Sequence, residues 1–215
     1  METPKNPLSI NYRIREGLSR VGMAMRIDEW NKAKATGLNP TQLAILTLLE
    51  GRDEDGLGVK EIAAHLGVSQ PTATDSINAL ERKQLIEKRQ GPNDKRAVRV
   101  ALTDEGLSVL KEAGDENGLA EQAVGSLDAD TQETLLVSLV TMIRQLQEAG
   151  AIPVQRICVS CQYFAPNVHP DPARPHHCKF VDEAFGQREL RIDCRDHLEA
   201  DPAFRAATWN AFQPG

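Results

Sequence analysis

The sequence predicts a mainly α-helical chain that carries one small β-hairpin and ends in a small, irregular, metal-stabilised domain. Three observations carry this expectation. Apolar residues recur at helical spacing over most of the first two thirds. Only one stretch there alternates like a hairpin, and all four cysteines lie beyond Ile152. With 215 residues and 40% hydrophobic side chains, the chain can bury a core in one or two domains. Aromatics at 4% suit helices packed through Leu, Ile, Val and Ala.

From the N-terminus, Leu8 to Lys34 reads as a long helix, with Ile10, Ile14, Leu18, Val21 and Met25 forming an apolar stripe expected in a core. Asn39-Pro40-Thr41-Gln42 is a helix start, with a cap, a first-turn proline and a Gln three residues after the cap. Leu43 to Leu49 is nearly all apolar and should be buried, and Gly51 to Gly58 reads as an acidic, glycine-rich loop.

The informative stretch begins at Val59. Residues 59, 62, 63 and 66 fall on one helical face, Gly67 permits a sharp left-handed turn, Ser69 can cap the next helix, and Pro71 sits in its first turn. In that second helix Ala73, Ile77, Leu80 and Gln84 share a face, while Pro71, Asp75, Asn78 and Arg82 point away from it. One face docks on a core and the other is left to enter a DNA groove, the arrangement of a helix-turn-helix. Leu85 to Arg89 and Ala97 to Ala101 then read as strands, joined by the turn-rich Gln90-Gly91-Pro92-Asn93-Asp94-Lys95. Lys88, Arg89, Lys95, Arg96 and Arg99 make this hairpin a positively charged wing. Thr103 caps the following helix, with Asp104 and Glu105 near its positive end, and a break is expected at Gly114-Asp115-Glu116-Asn117-Gly118. Asp128 or Asp130 starts a last helix, in which Leu135, Leu139, Met142, Ile143 and Leu146 form an apolar face ending at Gly150.

Helix-turn-helix, hairpin and the run from Asp94 to Gly106, D-x-R-A-x-x-V-x-L-T-x-x-G, together resemble the multiple-antibiotic-resistance regulator (MarR) family of winged-helix proteins, over roughly residues 8–149. The resemblance implies a homodimer in which the first helix and the last two interlock with those of a second copy. Such a dimer sets two recognition helices about 34 Å apart on a palindromic operator in double-stranded DNA. It also implies a repressor. Pro71, Thr72, Thr74, Asp75 and Asn78 are candidates for base edges; Ser69, Gln70, Thr72, Lys60 and Arg82 are candidates for phosphates. Arg89 belongs to the wing; Arg96 matches the family's minor-groove arginine, which Asp94 would orient. Family members often bind small aromatic acids near the dimer helices, and Tyr12, Arg15 and Trp30 are candidates to line such a pocket. The chain departs from the pattern at Asp75, where a basic residue is frequent, and at Gln84, where a helix-ending glycine is usual.

Charge supports a local basic site. The whole chain carries −6, but residues 59–103 hold eight basic against five acidic side chains, a net of +3 that leaves −9 for the rest. No metalloprotease HExxH, phosphate-binding glycine loop or serine nucleophile elbow is present, so no enzyme activity is expected. Met1 to Asn11 holds two prolines and no apolar core of a secretory signal, and no run approaches the ~18 apolar residues of a membrane span, so the expected location is cytoplasmic, with no membrane partner.

Composition changes near Pro153. Beyond Ile152 lie seven of the prolines, all four cysteines and four of the five histidines, which divides the chain into 1–150 and 151–215. Cys158-x2-Cys161 is followed after sixteen residues by Cys178 and after fifteen more by Cys194. In a cytoplasmic chain this favours one metal centre over two disulfides, and a segment so short needs such a staple. Either one zinc ion or an iron–sulfur cluster satisfies four thiolates, although zinc ribbons usually carry two CxxC knuckles. Cys158-Val159-Ser160-Cys161-Gln162-Tyr163-Phe164 with the later single cysteines resembles high-potential iron–sulfur proteins, which implies a [4Fe-4S] cluster. Tyr163, Phe164, Phe180 and Phe185 would shield it or form the local core, and His169, His176, His177 and His197 are possible substitute ligands. The combined expectation is a dimeric repressor whose cysteine domain either senses redox or iron state or braces the dimer. The alternatives are an aromatic-acid-responsive repressor with a structural zinc, and a metalloenzyme or electron carrier with a helix-turn-helix appendage.

Overall fold

A computed structural model describes residues 9–52, 56–91, 97–114 and 118–213. They form two compact units, Met1–Ser126 and Leu127–Gly215.

The first unit opens with α1 (Ile10–Ala35), capped by Ser9, whose hydroxyl accepts from the Tyr12 N–H. Its predicted core stripe stays exposed: of the whole helix only Ala33 is buried. α2 (Pro40–Leu49) starts in the expected capping box: Asn39 Oδ1 accepts from Gln42 N at 2.9 Å and Gln42 Oε1 from Asn39 N at 3.2 Å. Leu43, Ile45, Leu46 and Leu49 bury almost completely and form the centre of the core with Ile62, Ile77, Leu80, Ile86 and Val100.

A short strand, β1 (Leu57–Gly58), lies inside the stretch expected to be a loop. Gly56 makes it possible: its φ is +62°, and a β-carbon there would stand 2.1 Å from the Val100 carbonyl oxygen. α3 (Val59–Leu66) ends at left-handed Gly67, and α4 (Gln70–Arg82) follows its Ser69 cap. Ala73, Ile77 and Leu80 dock α4 on the core, together with Ser76, which the apolar pattern missed. Gln84 lies outside this face. The helix stops at Arg82, and Gln84 turns the chain with φ +61°, the left-handed role usually given to glycine. β2 (Ile86–Gln90) and β3 (Val98–Leu102) pair antiparallel, Ile86 opposite Leu102, one residue later than each predicted strand. With β1 on the other side of β3 the sheet order is β1-β3-β2.

Thr103 caps α5 (Asp104–Ala113), its hydroxyl accepting from Gly106 N and donating to the Gln84 carbonyl. α5 ends at Gly114 and α6 (Leu119–Gly125) begins afresh, so the glycines divide the helix as expected. Asp28 of α1 accepts from Ala120 N at 3.1 Å, supplying the cap that Gly118 lacks.

The second unit starts with α7 (Ala129–Glu148), capped by Asp128, whose carboxyl is held below its ordinary range by the Thr131 hydroxyl and N–H. The change in composition near Pro153 therefore falls inside this compact unit. Leu136, Val137, Val140 and Ile143 of α7 pack on Ile157, Val159, Phe164, Leu190, Trp209 and Phe212. Ile143 thus belongs to this core and not to the open stripe of Leu135, Leu139, Met142 and Leu146, of which Met142 and Leu146 are exposed. After a 3-10 turn at Cys158–Ser160 come β4 (Phe164–Ala165), β5 (His176–Cys178) and β6 (Glu183–Phe185), an antiparallel sheet in that order, then α8 (Pro202–Phe212). Arg188 ties this segment to α7 through Asp130 and Glu133 at 2.9 and 2.8 Å.

Candidate DNA interface and cysteine centre

α3, Gly67 and α4 place one helix against the core and turn the outer face of the next away from it. On that face Gln70, Pro71, Thr72, Asp75 and Arg82 are exposed and Thr74 and Asn78 half-buried; Lys60 is exposed on α3. Ser69 Oγ accepts from Thr72 N at 3.2 Å and lies 2.8 Å from Thr72 Oγ1, which closes the first turn. Thr74 donates its hydroxyl to the Gln70 carbonyl at 2.8 Å, so its methyl group and lone pairs are what it offers outward. Asn78 Oδ1 accepts from Lys88 Nζ at 2.8 Å.

Lys88 is the residue whose role the sequence concealed. Counted there as wing charge, it reaches from β2 to Asn78 and to Glu81, 2.7 Å away, and fixes the wing to the recognition helix. The signal was present in the i, i+3 spacing of Asn78 and Glu81, which puts both on one face of α4. Other wing charges are also internally engaged. Arg89 Nε donates to Glu87 at 2.9 Å, and Arg99 pairs with Glu61 at 2.6 Å. The net charge of this stretch therefore overstates what it presents to a phosphate backbone. Asp94, Lys95 and Arg96, at the predicted wing tip, lie outside the described residues.

Of the expected effector residues, Tyr12 and Arg15 are neighbours, the guanidinium lying 5.1 Å from the ring centroid, and Arg15 also pairs with Glu16. Trp30 sits fifteen positions further along α1, about 22 Å at 1.5 Å per residue. Within one chain the three do not share a pocket.

The four cysteines do come together. Cys158 and Cys161 from the 3-10 turn, Cys178 from β5 and Cys194 from the loop before α8 line one cavity of about 210 Å³. Tyr163, Phe164, Phe180 and Phe185 form its aromatic wall; Phe164 is also core, and the Tyr163 and Phe180 rings meet at a tilt with centroids 5.4 Å apart. All four thiols are free. Burial pushes the Cys158 thiol up to about 11 and raises Cys161 as well, so both are protonated at neutral pH in the metal-free chain and a bound cation must displace those protons. Two donors reach the sulfurs from Arg191: its backbone N–H to Cys158 Sγ at 3.2 Å and its guanidinium to Cys194 Sγ at 3.6 Å.

The histidines are not part of this lining. His176 is fully buried among Phe164, Phe185 and Phe212, and its Nδ1 accepts from Asn167 N. Burial holds it below the ordinary imidazole range. His197 bonds Ser160 Oγ at 2.9 Å, and His177 lies between His169 and Asp182.

A helix-turn-helix with a three-stranded wing defines a DNA-binding module of the winged-helix class. Comparison with known proteins agrees. The profile of the MarR family matches residues 38–98. Transcriptional repressor MprA of Escherichia coli (strain K12) is 29% identical over 143 residues, spanning 63% of this chain and 81% of that protein. The uncharacterized HTH-type transcriptional regulator YkoM of Bacillus subtilis (strain 168) is 34% identical over 108 residues, 50% of this chain and 69% of that protein. A MarR transcriptional regulator from Methanosarcina mazei Go1 has the same fold, with a TM-score of 0.55 at 21% identity over 64% of this chain and 99% of that one. The chain belongs to the MarR family and is a DNA-binding transcriptional regulator of that type. Its cysteine centre lies outside the matched profile.

Proposed function

We propose that this protein is a homodimeric repressor whose operator binding responds to an iron–sulfur cluster held by Cys158, Cys161, Cys178 and Cys194. The observation that carries the regulatory part is the convergence of all four thiols on one partly aromatic cavity of about 210 Å³. Thiols standing around a space, with N–H donors on two sulfurs and aromatic walls, suit a polynuclear cluster, and a [4Fe-4S] cube uses four thiolates. Bound there, the cluster supplies a one-electron redox couple and a staple for the second unit.

Repression and dimerisation rest on the helices. The relative MprA is described as a transcriptional repressor. α1 exposes Ile10, Ile14, Leu18, Val21 and Met25 in one stripe, and α7 leaves Met142 and Leu146 open on a second. A second copy of the chain covers such stripes at the lowest cost, and a two-fold pair of α4 helices reads a palindrome with half-sites about 34 Å apart. α7 links the two parts. One of its faces is built into the core around the cysteine segment and the other carries the open stripe, so loosening that core on cluster loss would disturb the dimer face.

The test is anaerobic purification followed by an absorption spectrum, iron, sulfide and zinc content, and operator gel shifts with the cluster intact, oxidised and removed. Several irons and sulfides per chain, with affinity that differs at least tenfold between states, is the expected result. One zinc per chain and no visible absorbance would overturn the cluster.

A further inference from the structure

Two basic side chains reach the thiol-lined cavity, Arg174 and Arg191. Arg174 is committed elsewhere, donating to the Ala184 carbonyl. Arg191 is different in kind. Its backbone N–H donates to Cys158 Sγ, its carbonyl accepts from Cys158 N at 3.1 Å, and its guanidinium reaches Cys194 Sγ. The preceding Leu190 is buried in the local core, which fixes the backbone from which this side chain springs. Its side chain remains 57% exposed, and the guanidinium also makes a long ion pair with Asp196 at 3.9 Å. The residue thus grips the CxxC turn through its main chain and sets its guanidinium 3.6 Å from the sulfur of Cys194, three residues further along its own loop.

We propose that Arg191 is a positioning residue that tunes the redox potential of the cluster and marks its solvent-facing edge; this rests on the iron–sulfur assignment above. The physics has two parts. A cluster held by four thiolates is an anion, and each added electron makes it more so, hence a fixed cation beside one ligand favours the reduced form. A donor on the thiolate sulfur draws electron density from it and acts in the same direction. Solvent screens an exposed guanidinium, so the effect is moderate. Because the main-chain bond to Cys158 does not depend on side-chain identity, substitution at 191 removes the charge without removing the grip on the CxxC turn.

The experiment is a dye-mediated anaerobic titration of the full chain, followed by visible absorbance, for wild type, Arg191→Ala, Arg191→Gln and Arg191→Lys, each with iron and sulfide content measured. Arg191→Ala and Arg191→Gln are expected to lower the midpoint by about threefold in the reduced-to-oxidised ratio at fixed poise, about 28 mV for one electron. Arg191→Lys should restore most of it. If Arg191→Ala does not retain the cluster, the comparison of Gln with Lys decides the same question. Equal midpoints in all variants, or loss of the cluster in all three, would make Arg191 a brace and overturn the proposal. If wild type itself holds no cluster, the iron–sulfur assignment falls and this one falls with it. A cluster with an unmoved midpoint overturns the Arg191 role alone.

Discussion

Asp75 is the candidate base-reading side chain that departs most from the family pattern. It is exposed on the outer face of α4, where it can only accept hydrogen bonds, and in the major groove a carboxylate finds its donor on the cytosine amine. Asp75→Ala is expected to relax discrimination at one base position in each half-site by about 1–3 kcal/mol. A scan of single-base operator variants checks it, and an unchanged preference at every position would remove Asp75 from the readout. Gln84 teaches a different lesson at the same scale. Its φ of +61° costs a non-glycine residue about 1–2 kcal/mol, and the chain bears this because Thr103 caps the turn through the Gln84 carbonyl at 2.8 Å.

At the scale of elements, the junction of wing and α5 is tightly packed. A β-carbon on Gly106 would stand 2.1 Å from the Leu85 carbonyl oxygen and 2.7 Å from Leu102 Cδ1, so the first turn of α5 passes directly over the start of the hairpin. Gly106→Ala is expected to destabilise the fold by about 1–3 kcal/mol, measured by urea denaturation, because main chain has to move. Gly125→Ala, where an added methyl meets nothing within 4 Å, is the control and should leave the midpoint unchanged or slightly raised. Helix starts were legible from the sequence because a cap is a local device: Ser69, Thr103 and the Asn39 box all form as expected. β1 was not, since a two-residue strand depends on Gly56 meeting Val100 forty-four positions away.

For the whole molecule the question is what covers α1. Leu18 lies in the middle of the exposed stripe and is absent from the buried core. Leu18→Glu should therefore leave helical circular dichroism intact while light scattering reports a shift from dimer to monomer and operator affinity falls at least tenfold. A dimer that survives the substitution would place the interface elsewhere. The same scale explains why net charge misleads here. Arg89, Arg99 and Lys88 meet Glu87, Glu61 and Glu81 once the chain is folded, so a positive count along the sequence becomes partly a set of internal struts.

By itself the sequence determined the order and type of the helices up to Gly150, the hairpin, the outward face of α4 and the grouping of the four cysteines in one segment; it missed the β4–β6 sheet and α8 in the segment read as irregular. Those properties follow from periodicity, caps and spacing, all of which act within a few residues. Tertiary structure decided the rest. It left the α1 stripe open, although an apolar stripe alone reads as core. It split α7 into a packed face and an open one, moving Ile143 to the former, and buried His176 among aromatic rings. It also set the thiols around a cavity and laid Arg191 across two of them. These outcomes depend on which faces find partners far along the chain, and no local rule records that.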